Sequence, residues 1–282
     1  MATIETISRH CCHGGVLGYF KHASSTNDCE MRFAVYTPPQ AGERRVPVLY
    51  YLAGLTCNEE TFVTKACALE HAARHGIALV APDTSPRVTL PGDRESWDFG
   101  IGAGFYLDAT EQPWSKHYRM YSYVVDELPK IVGANFNVDT TRAGIFGHSM
   151  GGHGALTVAL KNPDKYQSVS AFAPICAPMQ VPWGLKAFGG YLGPDRATWG
   201  QYDTTELLRT GRKFPGTLFV TQGTGDKFLA EQLKPELLVE ACRVSGQPLE
   251  MQRQTDYDHG YFFIQTFIAQ HLDWHARALG GD

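Results

Sequence analysis

The 282-residue chain has no run of about 18 consecutive apolar residues, the length a membrane-crossing helix requires, so no transmembrane helix is expected. Its opening stretch, MATIETISRHCCHGGVLGYF, lacks the basic start and apolar run of a secretory signal, and the expectation is a cytoplasmic protein with no membrane partner. Long basic blocks are missing too: 25 Lys+Arg against 29 Asp+Glu leave a formal charge of −4, which argues against a nucleic-acid partner. No Cys-x-x-Cys pair occurs. The seven cysteines (Cys11, Cys12, Cys29, Cys57, Cys67, Cys176 and Cys242) are odd in number and irregularly spaced, as reduced thiols are, and do not form a disulfide framework. His10-Cys11-Cys12-His13 is dense in ligand types, but contiguous residues cannot easily wrap one tetrahedral ion, so no metal is expected. Neither an internal repeat nor a low-complexity linker interrupts the chain.

What is present is a chain 43% hydrophobic, long enough for a large core. Short apolar runs alternate with helical patterns. RFAVYTP (32–38), VPVLYYLAG (46–54), IALVAP (77–82) and RAGIFG (142–147) read as strands, as do runs starting at 167, 217 and 249. Residues 58–76 read as one helix capped by Asn58 and stopped by Gly76. Helices are also expected after the 142–147 strand through Leu160, over 226–246 and over 260–281, with a kink or break at Pro129 and Pro235. Such alternation implies an α/β fold, a mostly parallel sheet with helices on both faces, in one domain spanning 1–282. Two aromatic-rich segments, 83–117 and 174–215, are long for connections and read as binding loops.

Residues 144–154 read GIFGHSMGGHG. Within them Gly147-His148-Ser149-Met150-Gly151 is G-x-S-x-G between a strand pattern and a helix pattern, the context of a nucleophile elbow; the alternative is a tight packing turn. A serine hydroxyl needs a base. Among the later histidines only His259, in DYDHGYFF, directly follows a strand, at the sheet end where ligands bind. His153 points away from the turn, and His271 and His275 lie inside the last helix pattern. The acid should follow a strand between serine and histidine, which favours Asp226 in TLFVTQGTGDKFL over Asp195 and Asp203. The oxyanion donors expected are the N–H groups of Met150 and of Leu55, after Gly54, although Gly54 also reads as a plain strand terminator.

With these residues in place the chain resembles the S-formylglutathione hydrolases, the esterase D family of the α/β-hydrolase superfamily. The resemblance covers nearly the whole chain and rests on LAGLTCNEETF (52–62), APDTSPR (81–87), ESWDFGIGAGFYLDAT (95–110), HYRMYSYVVDELP (117–129), IFGHSMGGHGAL (145–156), SAFAPICAPMQVPWGLKAFGGYLG (170–193) and YDHGYFFIQTFI (257–268). It implies an α/β-hydrolase fold without a large separate cap domain and a cytosolic, usually dimeric serine hydrolase needing no cofactor. The implied substrate is the thioester S-formylglutathione, cleaved to glutathione and formate in formaldehyde detoxification, with small aryl esters also accepted. Carried over by motif, the triad falls on Ser149, Asp226 and His259 and the oxyanion donors on Leu55 and Met150; Trp183 resembles the tryptophan beside the family's active site. The chain departs from the family strings at Val88, after DTSPR, and at Gly260, after YDH, which bears on fine specificity.

The anionic leaving group calls for cations; Lys65 and Lys186 are the candidates, each also readable as a solvated lysine. Cys57, two residues past Leu55, reads either as a redox-sensitive thiol or as a buried inert one. His71/His75 and His271/His275 have i,i+4 spacing without the H-E-x-x-H glutamate and read as surface helix histidines, and GIGAG (100–104) as a packing turn. Competing readings are a broad short-chain carboxylesterase, an acyltransferase of the secreted mycolyl-transferring kind, and a non-catalytic hydrolase-fold binding protein, which an intact triad disfavours.

Overall fold

The computed structural model describes residues 3–93 and 96–280. Glu95, the first residue of the 95–110 string, lies outside them. Nine strands among the described residues form one sheet: β1 (Glu5–Cys12), β2 (Gly15–Ser24), β3 (Cys29–Thr37), β4 (Val46–Leu52), β5 (Ala78–Pro82), β6 (Val138–His148), β7 (Ser168–Phe172), β8 (Leu218–Gly223) and β9 (Leu249–Gln254). Their order is β1-β2-β3-β5-β4-β6-β7-β8-β9, and pairing is antiparallel up to β3–β5 and parallel from there on. The helices are α1 (Glu59–Lys65), α2 (Leu69–His75), α3 (Met120–Ser122), α4 (Leu128–Asn135), α5 (Met150–Lys161), α6 (Pro182–Leu192), α7 (Thr204–Arg209), α8 (Pro235–Ser245) and α9 (Tyr261–Leu279). Strands β4, β5, β7 and β8 are buried along their whole length, which is why their sequences are continuous apolar runs rather than alternating ones.

Several expectations hold. Asn58 caps α1 with a full capping box, and Gly76 ends α2 in the left-handed conformation. The expected single helix over 58–76 is nevertheless two, broken where Cys67 takes φ +55° between Ala66 and Ala68. Pro235 opens α8 as its first residue, after Lys234 turns left-handed. Near Pro129 the chain inserts a π-helical turn, Tyr123–Glu127, and the Lys165 ammonium donates to the Val125 carbonyl at 3.2 Å, the group a proline four residues on leaves without its α-helical donor. The segment 174–215 holds α6 and α7 as well as loop. Glycines obscured α6: at Gly184 a Cβ would stand 2.1 Å from the Pro178 carbonyl oxygen, so that residue serves packing at the expense of helix propensity.

Strands β1 and β2 escaped the sequence reading. Strand β1 is mostly exposed, so its residues need no apolar alternation. Their hairpin did leave a signal: His13 and Gly14 both have positive φ (46° and 75°), the conformation a two-residue connection demands.

His271 and His275 are the clearest correction. They are fully buried, not surface residues. They face β7 and β8 from α9 in an unbroken hydrogen-bonded chain: Thr221 to His271 (2.9 Å), His271 to Ser170 (2.8 Å), Ser170 to His275 (2.9 Å) and His275 to Ser168 (2.6 Å). A helix pattern alone cannot reveal this, because the partners lie on strands far away in sequence. His75 is also engaged, with Asp273 of α9 at 2.6 Å.

At Gly151 a Cβ would stand 1.9 Å from the Leu52 carbonyl oxygen, whereas nothing lies within 4 Å of one at Gly189 in α6. In thermal or denaturant unfolding, Gly151→Ala should lose at least about 1–3 kcal/mol, while Gly189→Ala should gain about 0.5–1 kcal/mol. Burial pushes the His275 imidazole down to about 3 and His271 well below its ordinary value. Below about pH 6.5 the unfolded chain therefore binds protons that the folded chain refuses, and stability falls as pH falls toward 3. Melting temperatures across that window should fall less steeply in His275→Gln than in the parent, from a lower starting stability.

Candidate active site

The parallel pairing fixes where the candidate residues meet. Leu52 of β4 is opposite Gly147 of β6, so the segments that carry Leu55 and Met150 leave the same edge of the sheet. Ser149 sits between β6 and α5 with φ 57° and ψ −119°, a strained conformation for a side-chain-bearing residue. Backbone contacts hold it there: its N–H donates to the Phe172 carbonyl at 2.9 Å, and its carbonyl accepts from His153 (3.0 Å) and Ile175 (3.3 Å). Glycine is obligatory on both sides, since a Cβ at Gly147 would stand 2.3 Å from the Gly151 carbonyl oxygen. The geometry is that of a nucleophile elbow.

Asp226 and His259 arrive on the loops after β8 and β9. Those loops approach closely because of two more glycines: a Cβ at Gly223 would stand 2.2 Å from the Tyr257 carbonyl oxygen, and one at Gly225 2.7 Å from that of Asp256. The Gly225 N–H donates to the Tyr257 carbonyl at 3.0 Å, locking the loops together. In consequence the His259 Nδ1–H donates to Asp226 Oδ2 at 2.5 Å. The other Asp226 oxygen accepts the Phe228 N–H at 2.9 Å, and Gln222 Nε2 reaches Oδ2 at 3.3 Å. A proton fixed on Nδ1 leaves Nε2 of the neutral ring as the lone-pair nitrogen, the tautomer a general base needs. The rejected acids have other uses: Asp203 caps α7 and Asp195 caps the turn at 196–202.

Ser149 and His259 line one cavity of about 310 Å³, together with Leu55, Cys57, Lys65 and Trp183. Among the described residues, neither the Leu55 nor the Met150 N–H donates to any protein acceptor, so both are free for a ligand oxygen. Trp183 packs against Trp97 (centroids 5.7 Å apart) and Phe228 (4.8 Å), forming an aromatic wall. Lys65, the last residue of α1, borders the cavity with its ammonium 5.9 Å from the Tyr261 ring centroid. Lys186 does not line it; its ammonium holds Asp98 at 2.5 Å and Ser96 at 2.6 Å, on either side of Trp97. Cys57 does line it, and burial raises its thiol above the ordinary value despite hydrogen bonds with Thr61 and Tyr261, which disfavours the reactive thiolate.

His148 borders the cavity with its ring 4.5 Å from that of His259, and burial holds it neutral. The His153 Nε2–H donates to the Phe105 carbonyl at 3.2 Å, and this ring too is neutral, pushed down to about 4 by burial. A hollow of about 360 Å³ between Tyr50, Lys130 and Tyr166 includes no serine, cysteine or histidine in its lining. Gly102 of the GIGAG turn packs on Thr56, as expected of a packing turn: a Cβ there would stand 3.1 Å from the Thr56 Cα. Val88 is absent from the cavity lining, and at Gly260 a Cβ would approach nothing closer than Asp258 Oδ1 at 3.2 Å. The sequence reading missed Gln222, Phe228 and Tyr261. Tyr261 was detectable, two residues past the base; Gln222 acts through a loop contact with no linear signature.

This arrangement can accept a serine proton and steady an oxyanion. Asp226→Asn should lower kcat for ester or thioester hydrolysis by about 10³–10⁴ with little change in KM. Gln222→Ala should lower it less, and a kcat for Asp226→Asn near that of the parent would contradict the assignment.

Comparison with known proteins agrees with this geometry. The family described as "Putative esterase" matches residues 24–274. An S-formylglutathione hydrolase of Mus musculus is 51% identical over 278 residues, covering 98% of this chain and 99% of that protein. One of Paracoccus denitrificans (strain Pd 1222) is 50% identical over 276 residues, covering 98% of each. A solved S-formylglutathione hydrolase structure from Agrobacterium tumefaciens superposes with a TM-score of 0.96 at 48% identity, covering 98% of this chain and all of that one. With a backbone that superposes over nearly its full length and about half of its residues shared, the chain belongs to the S-formylglutathione hydrolase family of α/β-hydrolase-fold esterases.

Proposed function

We propose that this enzyme hydrolyses S-formylglutathione to glutathione and formate, with Ser149 as nucleophile, His259 as base and Asp226 as its orienting acid. The observation that carries the assignment is the His259–Asp226 contact of 2.5 Å beside a strained serine in one cavity. Ser149 Oγ attacks the thioester carbonyl carbon as His259 Nε2 takes its proton. The carbonyl oxygen becomes an oxyanion and accepts from the Leu55 and Met150 N–H groups; one such donor is worth roughly 3 kcal/mol in the transition state. The C–S bond breaks, and glutathione departs either as the thiol with the proton from His259 or as the thiolate with that proton then lost from His259 to solvent, so that the ring is neutral again. Water then attacks the formyl-serine as His259 takes its proton, the acyl C–Oγ bond breaks as His259 returns that proton to Ser149 Oγ, and formic acid leaves and ionises to formate.

Close packing around the serine suits a formyl group: a Cβ at Gly54 would stand 3.1 Å from the Ser149 Cβ and 3.3 Å from His148 Nδ1. Lys65 at the cavity rim supplies positive charge for an anionic leaving group. The reading includes a homodimer, consistent with Phe262 being 79% exposed beside the cavity-lining Tyr261, and a cytoplasmic location, consistent with the cysteine composition. Among the described residues no helix is long and apolar enough to cross a membrane.

Steady-state rates test the substrate. The expectation is a kcat/KM on S-formylglutathione well above that on short-chain aryl esters, with Ser149→Ala abolishing both. Comparable values would favour the broad carboxylesterase, and thioesterase activity at the parent's level in Ser149→Ala would overturn the mechanism.

A further inference from the structure

The Leu55 N–H belongs to a loop that does not hold its own shape. Between Gly54 and Cys57 the chain makes a tight turn closed by the Cys57 N–H on the Gly54 carbonyl at 3.3 Å, and Thr56 takes φ 67°, a left-handed conformation a threonine adopts at a cost. Outside contacts must make up for that cost, and they come from two strings that the triad leaves unexplained, APDTSPR (81–87) and the glycine turn at 100–104. The Thr56 N–H donates to the Gly102 carbonyl at 2.9 Å. The Gly102 N–H in turn donates to Ser85 Oγ at 2.8 Å.

The Cys57 carbonyl is gripped from the other side by two donors at once. Thr84 Oγ1 donates at 2.6 Å and Arg87 Nη2 at 3.1 Å. Arg87 is itself fixed by a two-pronged pair with Asp83, Nε to Oδ2 at 2.8 Å and Nη2 to Oδ1 at 2.5 Å, and Asp83 is almost fully buried. A guanidinium matches a carboxylate and a carbonyl together because its donors lie in one rigid plane, which a lysine cannot reproduce. We infer that Arg87 and Thr84, through the Cys57 carbonyl, are positioning residues that aim the Leu55 N–H at the oxyanion.

This inference rests on the reading of Leu55 as an oxyanion donor. Because the oxyanion exists only after attack, misaiming its donor should lower kcat and leave KM nearly unchanged. A displaced group can cost up to about a hundredfold, so a loss of about tenfold to a hundredfold is expected.

The test uses Thr84→Val, which removes one grip without altering charge, and the double variant Asp83→Asn/Arg87→Gln, which removes the guanidinium without stranding a buried carboxylate. Each is assayed for kcat and KM on S-formylglutathione, melting temperature and affinity for trifluoroacetone, on which Ser149 adds to give an anionic hemiketal. The Leu55 amide is followed by NMR in protein labelled with ¹⁵N-leucine. In the parent, adduct formation should move the Leu55 amide proton downfield. In both variants kcat and trifluoroacetone affinity should fall together, the downfield movement should shrink, and KM should hold; Arg87→Lys should fold but not recover kcat. No movement of Leu55 in the parent would refute the donor reading itself. Movement in the parent, with the variants keeping parental kcat, affinity and shift, would overturn the clamp while leaving the donor reading intact. If the double variant does not fold, Thr84→Val alone decides between these outcomes.

Discussion

The site depends on one close approach, that of the elbow at Ser149 to the end of β4. Gly147 and Gly151 lie so near the Leu52 carbonyl that no side chain fits at either. That proximity places the N-terminus of α5 next to the loop after β4, two elements separated in sequence by about ninety residues and joined by parallel pairing. From it follow the strained serine and the positive helix end beside it. A sheet whose fully buried strands cannot slip in register keeps these distances fixed.

The second half of the site is assembled by the same device. Gly223 and Gly225 let two loops touch backbone to backbone, and the contact brings a carboxylate and an imidazole into a short hydrogen bond. The imidazoles of His148, His153, His271 and His275 are all held neutral by burial. Their fates differ by surroundings: two are tied into the hydroxyl chain under α9, one rests on the Phe105 carbonyl and one borders the cavity. Lys186 shows the same division of labour, since it braces the segment bearing Trp97 and stands apart from the cavity.

Much of this was legible in the sequence because it has a local or ordered signature. The buried strands announced themselves as apolar runs, the elbow as G-x-S-x-G in a strand-turn-helix context, and the base and acid by their positions after strands. What escaped lacked such a signature. Strand β1 is too exposed to need an apolar pattern, and helix α6 carries a glycine whose packing overrides helix propensity. The burial of His271 and His275 depends on hydroxyls of β7 and β8, and the role of Gln222 depends on the fold of its own loop. The histidine misses concern residues whose environment is built by another part of the chain.

The central claim is that Ser149 is the group that attacks the substrate, and its most direct measurement is covalent labelling with a fluorophosphonate followed by peptide mass spectrometry and residual thioesterase assay. The account requires one phosphonyl group per chain, on Ser149, with activity lost in proportion to labelling. A fully labelled Ser149 in a protein that still turns over S-formylglutathione, or inactivation with the label on another residue, would contradict it.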